Sequence, residues 1–483
     1  MRPPLPTTLR LLPIAIVLLA QPGVAAAQPP VFPGGQVPAA PVSAPKDWAK
    51  AAEELEKKRD WPGLLTHSRS WTKASPTNRQ AWLMLGSSAT QTGKHKEAQY
   101  AWQEALRLDP NDADTLDALG MTNMELGRHA AAIRNFQQAI KLNPKFPEAW
   151  NNLGAAYAES GRYKEAVPAY RQAVKLRPDY AEAWVNLGGA YTSLKDYRAA
   201  QPCYEKALKI KPGNAETWND LGQAHAGLKQ HAAAKKAFRE ALRLRPNYAE
   251  AWNNLGAAYV EDRRVFTEMQ REDLTPYEEA IKHYREAVRI KPDYAEAWVN
   301  LGGAYAYLRR HYDAVDAYKQ AVRLEPRTAE HWHHIGTAYA GLKEFDDAKH
   351  AYREALKLQP DYAEAWNSLG SAEFETHRYE DAVNAYREAV RIKPDFSEAW
   401  INLGAALSHI PRHMEAVAAY QRALQIHPND PDAWLGIGMS YHELAERERA
   451  VRAYEKLLAL KREEHAKALY EEVKSYRDAY KAP

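Results

Sequence analysis

Three histidines crowd into His331-Trp332-His333-His334, the single cysteine is Cys203, and an asparagine returns at a regular interval between Asn152 and Asn402. Each type points to different chemistry. Histidines one helical turn apart can hold a metal ion, but a site needs three or four ligands. Here neither a suitably spaced carboxylate nor a second pair supplies them. They read as ordinary helix residues. Cys203 falls inside a helical pattern and reads as a small packed side chain rather than a nucleophile. The chain has no phosphate-cradling glycine loop, nucleophile elbow, H-E-x-x-H or paired-cysteine motif. The expectation is no catalytic residue, no metal and no cofactor. The one catalytic alternative is an unrecognised site near His331 to His334, which metal analysis of purified protein tests.

The asparagines belong to a repeat. Residues 147–180, PEAWNNLGAAYAESGRYKEAVPAYRQAVKLRPDY, form a 34-residue unit that recurs along the chain. Its aromatic aligns with Trp82, Leu116, Trp184, Trp218 and Trp252, then after one longer step with Trp298, Trp332, Trp366, Trp400 and Trp434. With position 1 set three residues before that aromatic, positions 4, 7, 8 and 11 (Trp150, Leu153, Gly154, Tyr157) make one apolar stripe on a helix. Positions 20, 24 and 27 (Ala166, Tyr170, Ala173) do the same on a second helix. Small residues at 8, 20 and 27 permit close approach, and a proline such as Pro178 at position 32 ends the second helix. Each helix pair leaves an apolar face that only the next pair can cover, so the units must stack.

This pattern resembles the tetratricopeptide repeat family over residues 45–464. The resemblance implies an all-α fold, an α-solenoid of about twelve helix-turn-helix repeats wound as a right-handed superhelix. Residues 45–78 read as a degenerate first repeat, with Trp61 and Trp71 improvising the aromatic packing. Residues 465–483 read as a capping helix. The seventh unit carries 12 extra residues near 262–274, which lengthen the turn between its two helices or extend the first of them, followed by a helix start with Thr275 as cap and Pro276 at the first position. Pro168 and Pro202 fall inside second helices, where a kink is expected.

Ahead of the repeats, residues 1–27 read as a signal peptide: Arg2 and Arg10, the apolar run LLPIAIVLLA, then a small-residue cleavage site at Ala25-Ala26-Ala27. Residues 28–44 form a Pro/Ala-rich linker. The chain is expected to be exported, periplasmic or secreted, with no transmembrane segment after signal cleavage. Basic residues number 65 and acidic residues 62. That balance argues against a nucleic-acid partner.

In the resembling family the first helices line the concave inside of the superhelix. Position 6 then belongs to the groove, and it reads Asn152, Asn186, Asp220, Asn254, Asn300, His334, Ser368 and Asn402. Asparagine is a poor helix-interior residue, so helix stability does not explain its return. An amide both donates and accepts, which suits the backbone of an extended peptide. The repeats are most similar to the repeat domain of the O-linked N-acetylglucosamine transferases, where an asparagine ladder holds the substrate backbone. That resemblance assigns the role to Asn152, Asn186, Asn254, Asn300 and Asn402; Asp220, His334 and Ser368 depart from it. No glycosyltransferase domain follows, so transferase activity is not implied. Glu182, Glu296, Glu364 and Glu398 each follow an aspartate by three residues, which predicts capping boxes. The basic residue before each proline reads as a solvated helix end. The expected function is a non-enzymatic scaffold that binds a protein or peptide segment in the groove. The alternative is an accessory subunit of a polysaccharide or glycan export complex.

Overall fold

The structure is a computed structural model, and it describes residues 47–262 and 274–460. The expected leader, linker and terminal helix lie outside the described residues, as do residues 263–273 of the insertion. The chain divides into two units, Met1–Pro246 and Asn247–Pro483.

In the first unit α1 (Trp48–Lys57) and α2 (Trp61–Ala74) form the degenerate pair. Regular pairs follow: α3 (Arg79–Gln91) with α4 (His95–Leu108), and α5 (Ala113–Glu125) with α6 (His129–Leu142). Then come α7 (Pro147–Glu159) with α8 (Tyr163–Leu176), α9 (Ala181–Ser193) with α10 (Tyr197–Ile210), and α11 (Ala215–Gly227) with α12 (His231–Leu244). The second unit repeats the scheme with α13 (Ala249–Glu261), α14 (Thr275–Ile290), α15 (Ala295–Tyr307) and α16 (His311–Leu324). It continues through α17 (Ala329–Gly341), α18 (Phe345–Leu358), α19 (Ala363–Glu375) and α20 (Tyr379–Ile392). The last four are α21 (Ser397–His409), α22 (His413–Ile426), α23 (Pro431–Glu443) and α24 (Arg447–Leu460). Every described element is helical, and within each unit each pair packs on the next: an all-α solenoid. Among the described residues no helix is long and apolar enough to cross a membrane.

The core follows the spacing. Tyr170 at position 24 is buried, and its ring lies where a Cβ on Gly154 at position 8 would sit. Tyr204 and Gly188, Tyr318 and Gly302, and Tyr386 and Gly370 repeat the arrangement. Glycine there is therefore a matter of space. The tryptophan at position 4, half-buried in every repeat but that of Trp82, adds a polar contact that spacing does not reveal. The indole N–H of Trp184 donates to the carbonyl of Pro178 at 2.9 Å, and Trp366 donates to Pro360 at 3.0 Å. Trp82, Trp150, Trp218, Trp298, Trp332, Trp400 and Trp434 make the same bond, 2.8–3.1 Å, to the proline six residues earlier. The proline that stops one helix thus anchors the next repeat.

Three local expectations are corrected. The capping boxes do not form: the residue before α9 is Tyr180, with no side-chain cap bond, so Asp179 caps nothing. Of those glutamates Glu364 binds the base before the proline, as Glu148, Glu216 and Glu250 do in their own repeats, while Glu296 and Glu398 accept from the amides of Asn253 and Asn367. Arg245 reaches Glu216 at 2.8 Å, while Lys291 to Glu250 and Lys393 to Glu364 are each 2.9 Å; Arg177 pairs likewise with Glu148. Those bases are no merely solvated face, because Arg177, Lys291 and Lys393 also lie over Tyr180, Tyr294 and Phe396. Helices α8 and α10 contain Pro168 and Pro202 and keep the 14 residues typical of second helices. Finally, α14 begins at Thr275 itself with Leu274 before it and spans 16 residues, while α13 keeps the usual 13. The insertion does not extend the first helix.

The turn between paired helices needs a left-handed residue at position 15. Glycine supplies it at Gly93, Gly127 and Gly161, but Lys195, Lys229, Arg309, Lys343 and His377 adopt φ near +60° without that freedom. Pro411 cannot reach positive φ. There the chain turns differently, with Ile410 extended at φ −111° and ψ 147°, as a residue preceding proline prefers.

Candidate functional site

Position 6 lies on the first helix of each pair, beside the same helix of the preceding repeat. A side chain there can therefore reach position 5 of that neighbour. In the first unit Asn186 Nδ2 donates to Asn151 Oδ1 at 3.0 Å, and Asn152 Nδ2 donates to both oxygens of Asp117, at 3.0 and 3.2 Å. In the second unit Asn300 Nδ2 donates to Asn253 Oδ1 at 2.9 Å, and Asn402 Nδ2 to Asn367 Oδ1 at 3.0 Å. Ser368 meets His333, Oγ to Nε2, at 3.0 Å. The ladder is thus built of rungs between repeats.

The rungs have a direction, and carboxylates set it. A carboxylate only accepts, so Asp117 must face the Nδ2 of Asn152 rather than its oxygen. In the second unit Asn253 donates Nδ2 to Glu296 Oε1 at 3.2 Å, and Asn367 donates Nδ2 to Glu398 Oε1 at 3.4 Å. Both position-5 amides therefore turn their oxygens to Asn300 and Asn402. Four position-6 amides are left with Oδ1 accepting nothing among the described residues: Asn152, Asn186, Asn300 and Asn402. Each oriented amide presents a carbonyl oxygen held in place by its own N–H bond. Asn254 is half-buried on α13.

The departures from asparagine have a local reason. Where position 5 is apolar there is no acceptor for an amide, and the facing position 6 differs. Val185 precedes Asp220 and Val299 precedes His334. His334 stacks on Tyr318 with centroids 5.3 Å apart. Burial holds its pKa down to about 4 and that of His333 down to about 3, so both rings stay neutral at pH 7. His331 is buried, with Nε2 3.8 Å from Glu325. Among the described residues no group of three potential ligands comes together. Cys203 is buried, donates to the Ala199 carbonyl at 3.3 Å, and burial pushes its thiol pKa up to about 12.

Two carboxylates on this face carry strong perturbations. Burial raises Asp117 to about 6, assisted by Glu148 and Asp114 and opposed by the Asn152 bond. Burial raises Asp220 to about 7, with Glu216 adding to the effect and an Asn219 bond opposing it. Position 5, and Asp117 with it, escaped the sequence reading. The signal was present: an apolar position 5 is followed one repeat later by something other than asparagine.

One family model, the Cilia and flagella-associated protein 70 C-terminal domain, matches residues 145–270 and again 269–395, together about half of the chain. Tetratricopeptide repeat models match residues 79–112, 369–431 and 431–464, and a TPR repeat model matches 120–161. The chain belongs to the tetratricopeptide repeat family. Its similarity to the transferase repeat domain in particular is not among these findings. No curated protein matches. Among solved structures, MamA is 30% identical over 36% of this chain and 94% of its own, with a TM-score of 0.33. The Cut9–Hcn1 hetero-tetramer of APC/C is 14% identical, covering 88% of this chain and 95% of that one, with a TM-score of 0.42. YrrB, described as a TPR protein with an unusual peptide-binding site, is 20% identical over 41% and 97%, with a TM-score of 0.36.

Proposed function

We propose that this tetratricopeptide repeat protein is a non-enzymatic scaffold whose ladder face holds an extended peptide or protein segment, and that the chain is exported. Export rests on the residue pattern of positions 1–27. Binding rests on one observation above all: the position-6 amides present oriented, unfilled carbonyl oxygens. An extended peptide exposes N–H groups along its length, and each could donate to one such oxygen. The acceptors are fixed before binding, so little ordering cost falls on the protein.

The test is the variant N152A/N186A in the full chain, with affinity for an extended peptide read by fluorescence anisotropy and helicity by circular dichroism. Weaker binding at unchanged helicity is expected. Unchanged affinity would remove the ladder from the binding face.

A further inference from the structure

Charge is divided by helix. From α5 to α23 the first helix of every pair contains no lysine or arginine, while each carries at least one aspartate or glutamate. The basic residues lie on the second helices and in the turns. The near-neutral total hides this division. Helix polarity explains the glutamates at position 2, since carboxylates favour a helix N-terminus. It does not explain Asp117 at position 5 or Asp220 at position 6, which sit on the ladder itself beyond the first turn.

These two aspartates differ from the ion-paired glutamates of the same helices. Glu148 and Glu216 already have arginines, Arg177 and Arg245. Among the described residues Asp117 and Asp220 have none, although both are half-buried. Asp117 receives the Asn152 amide and Asp220 that of Asn219, and Val185, the residue in register with Asp220 one repeat back, has no polar side chain to add a rung. A carboxylate offers about four acceptor positions, and both keep some unfilled. A half-buried carboxylate without a cation destabilises the fold, and the asparagine found in neighbouring repeats would not. A cation arriving from outside would relieve that penalty.

We propose that the ladder face of the first unit takes an extended segment bearing lysine or arginine, with Asp117 and Asp220 as its cation-receiving positions. This rests on the reading that the ladder holds an extended peptide, and adds the partner's charge. The unfilled amide oxygens of Asn152 and Asn186 lie between the two in the repeat order and hold backbone N–H groups, while the aspartates select side chains. Their raised pKa values agree with carboxylates in want of a counter-charge. Nucleic acid is the wrong sign for this face.

The experiment uses the full chain and three fluorescein-labelled peptides of equal length on one Gly/Ser/Ala scaffold, carrying lysine, glutamine or glutamate at the same sites. The lysine peptide is expected to bind at least about tenfold tighter than the glutamine peptide, a difference of roughly 1.4 kcal/mol that weakens with salt. D117N/D220N should abolish that preference. E104Q/E240Q removes equal charge from second helices, where both residues are ion-paired, and should preserve it. The proposal is overturned by equal affinity for all three peptides, or by equal loss in the two double variants. If the glutamine peptide binds and N152A/N186A weakens it, the ladder reading stands and the charge selection alone falls. If none of the three binds, both fall.

Discussion

Asp220 occupies a position where Asn152, Asn186, Asn300 and Asn402 place an amide, and its acidity is what sets it apart. Its carboxyl holds a proton more tightly in the folded chain, to about 7, than in the unfolded chain, where its ordinary value is 3.8. A raised carboxyl pKa means that stability falls as pH rises through that window, because folding must keep a charge that burial disfavours. Glu216 and the buried Tyr204 face the same carboxylate and add no positive charge. Asp220→Asn is therefore expected to raise thermal stability at pH 8, by on the order of 1–2 kcal/mol, and to change little at pH 4. A melting series across that range checks it, and equal effects at both ends would contradict the assignment. Stabilisation at pH 8 would also show that any lost peptide binding in this variant is not unfolding.

Between α18 and α19 one pair of residues departs from its counterparts. Elsewhere position 21 of one repeat and position 11 of the next suit each other: Val167 with Tyr191, Val315 with Tyr339, and Gln99 bonded to Asn123 at 2.7 Å. At this junction they are Lys349 and Glu373, each only 2% exposed, with Nζ 3.6 Å from Oε2. Asp346 and Thr376 complete the lysine, at 2.8 and 3.2 Å, and Arg353 holds the other glutamate oxygen at 2.6 Å. Removing one partner of a buried pair leaves an uncompensated charge, whereas replacing both with apolar groups is often harmless. Lys349→Met alone is expected to cost roughly 3–5 kcal/mol locally, while K349V/E373Y, the combination used at other junctions, is expected to be neutral or stabilising. Amide exchange in α18 and α19 reads the difference. Additive losses in the double variant would refute the pairing. Neither residue stands out in a sequence reading, because each looks like a surface charge until the neighbouring repeat is laid against it.

Over the whole chain, the solenoid was legible because the 34-residue period carries it: Trp150, Gly154, Tyr170 and Pro178 announce their packing by spacing alone. The rungs were legible only by half. Position 6 drew notice for its asparagines, but its partner lies one repeat back, and a reading confined to one unit cannot see Asp117 or Asn151. The capping boxes failed for a related reason. Glu364 is drawn to Lys393 at the far end of its own repeat, and Glu296 and Glu398 to amides of the preceding repeat, and a local motif includes neither.

The bond from nine of the position-4 tryptophans to the preceding proline carries a mechanical consequence. It crosses the seam between repeats, so a chain pulled from its ends should yield seam by seam. Each released 34-residue unit adds at most about 120 Å of contour at roughly 3.5 Å per residue. The unit from Trp252 to Trp298 is 46 residues and adds at most about 160 Å. A force–extension trace should therefore show a ladder of equal steps with one long step among them, marking where along the molecule rupture has reached.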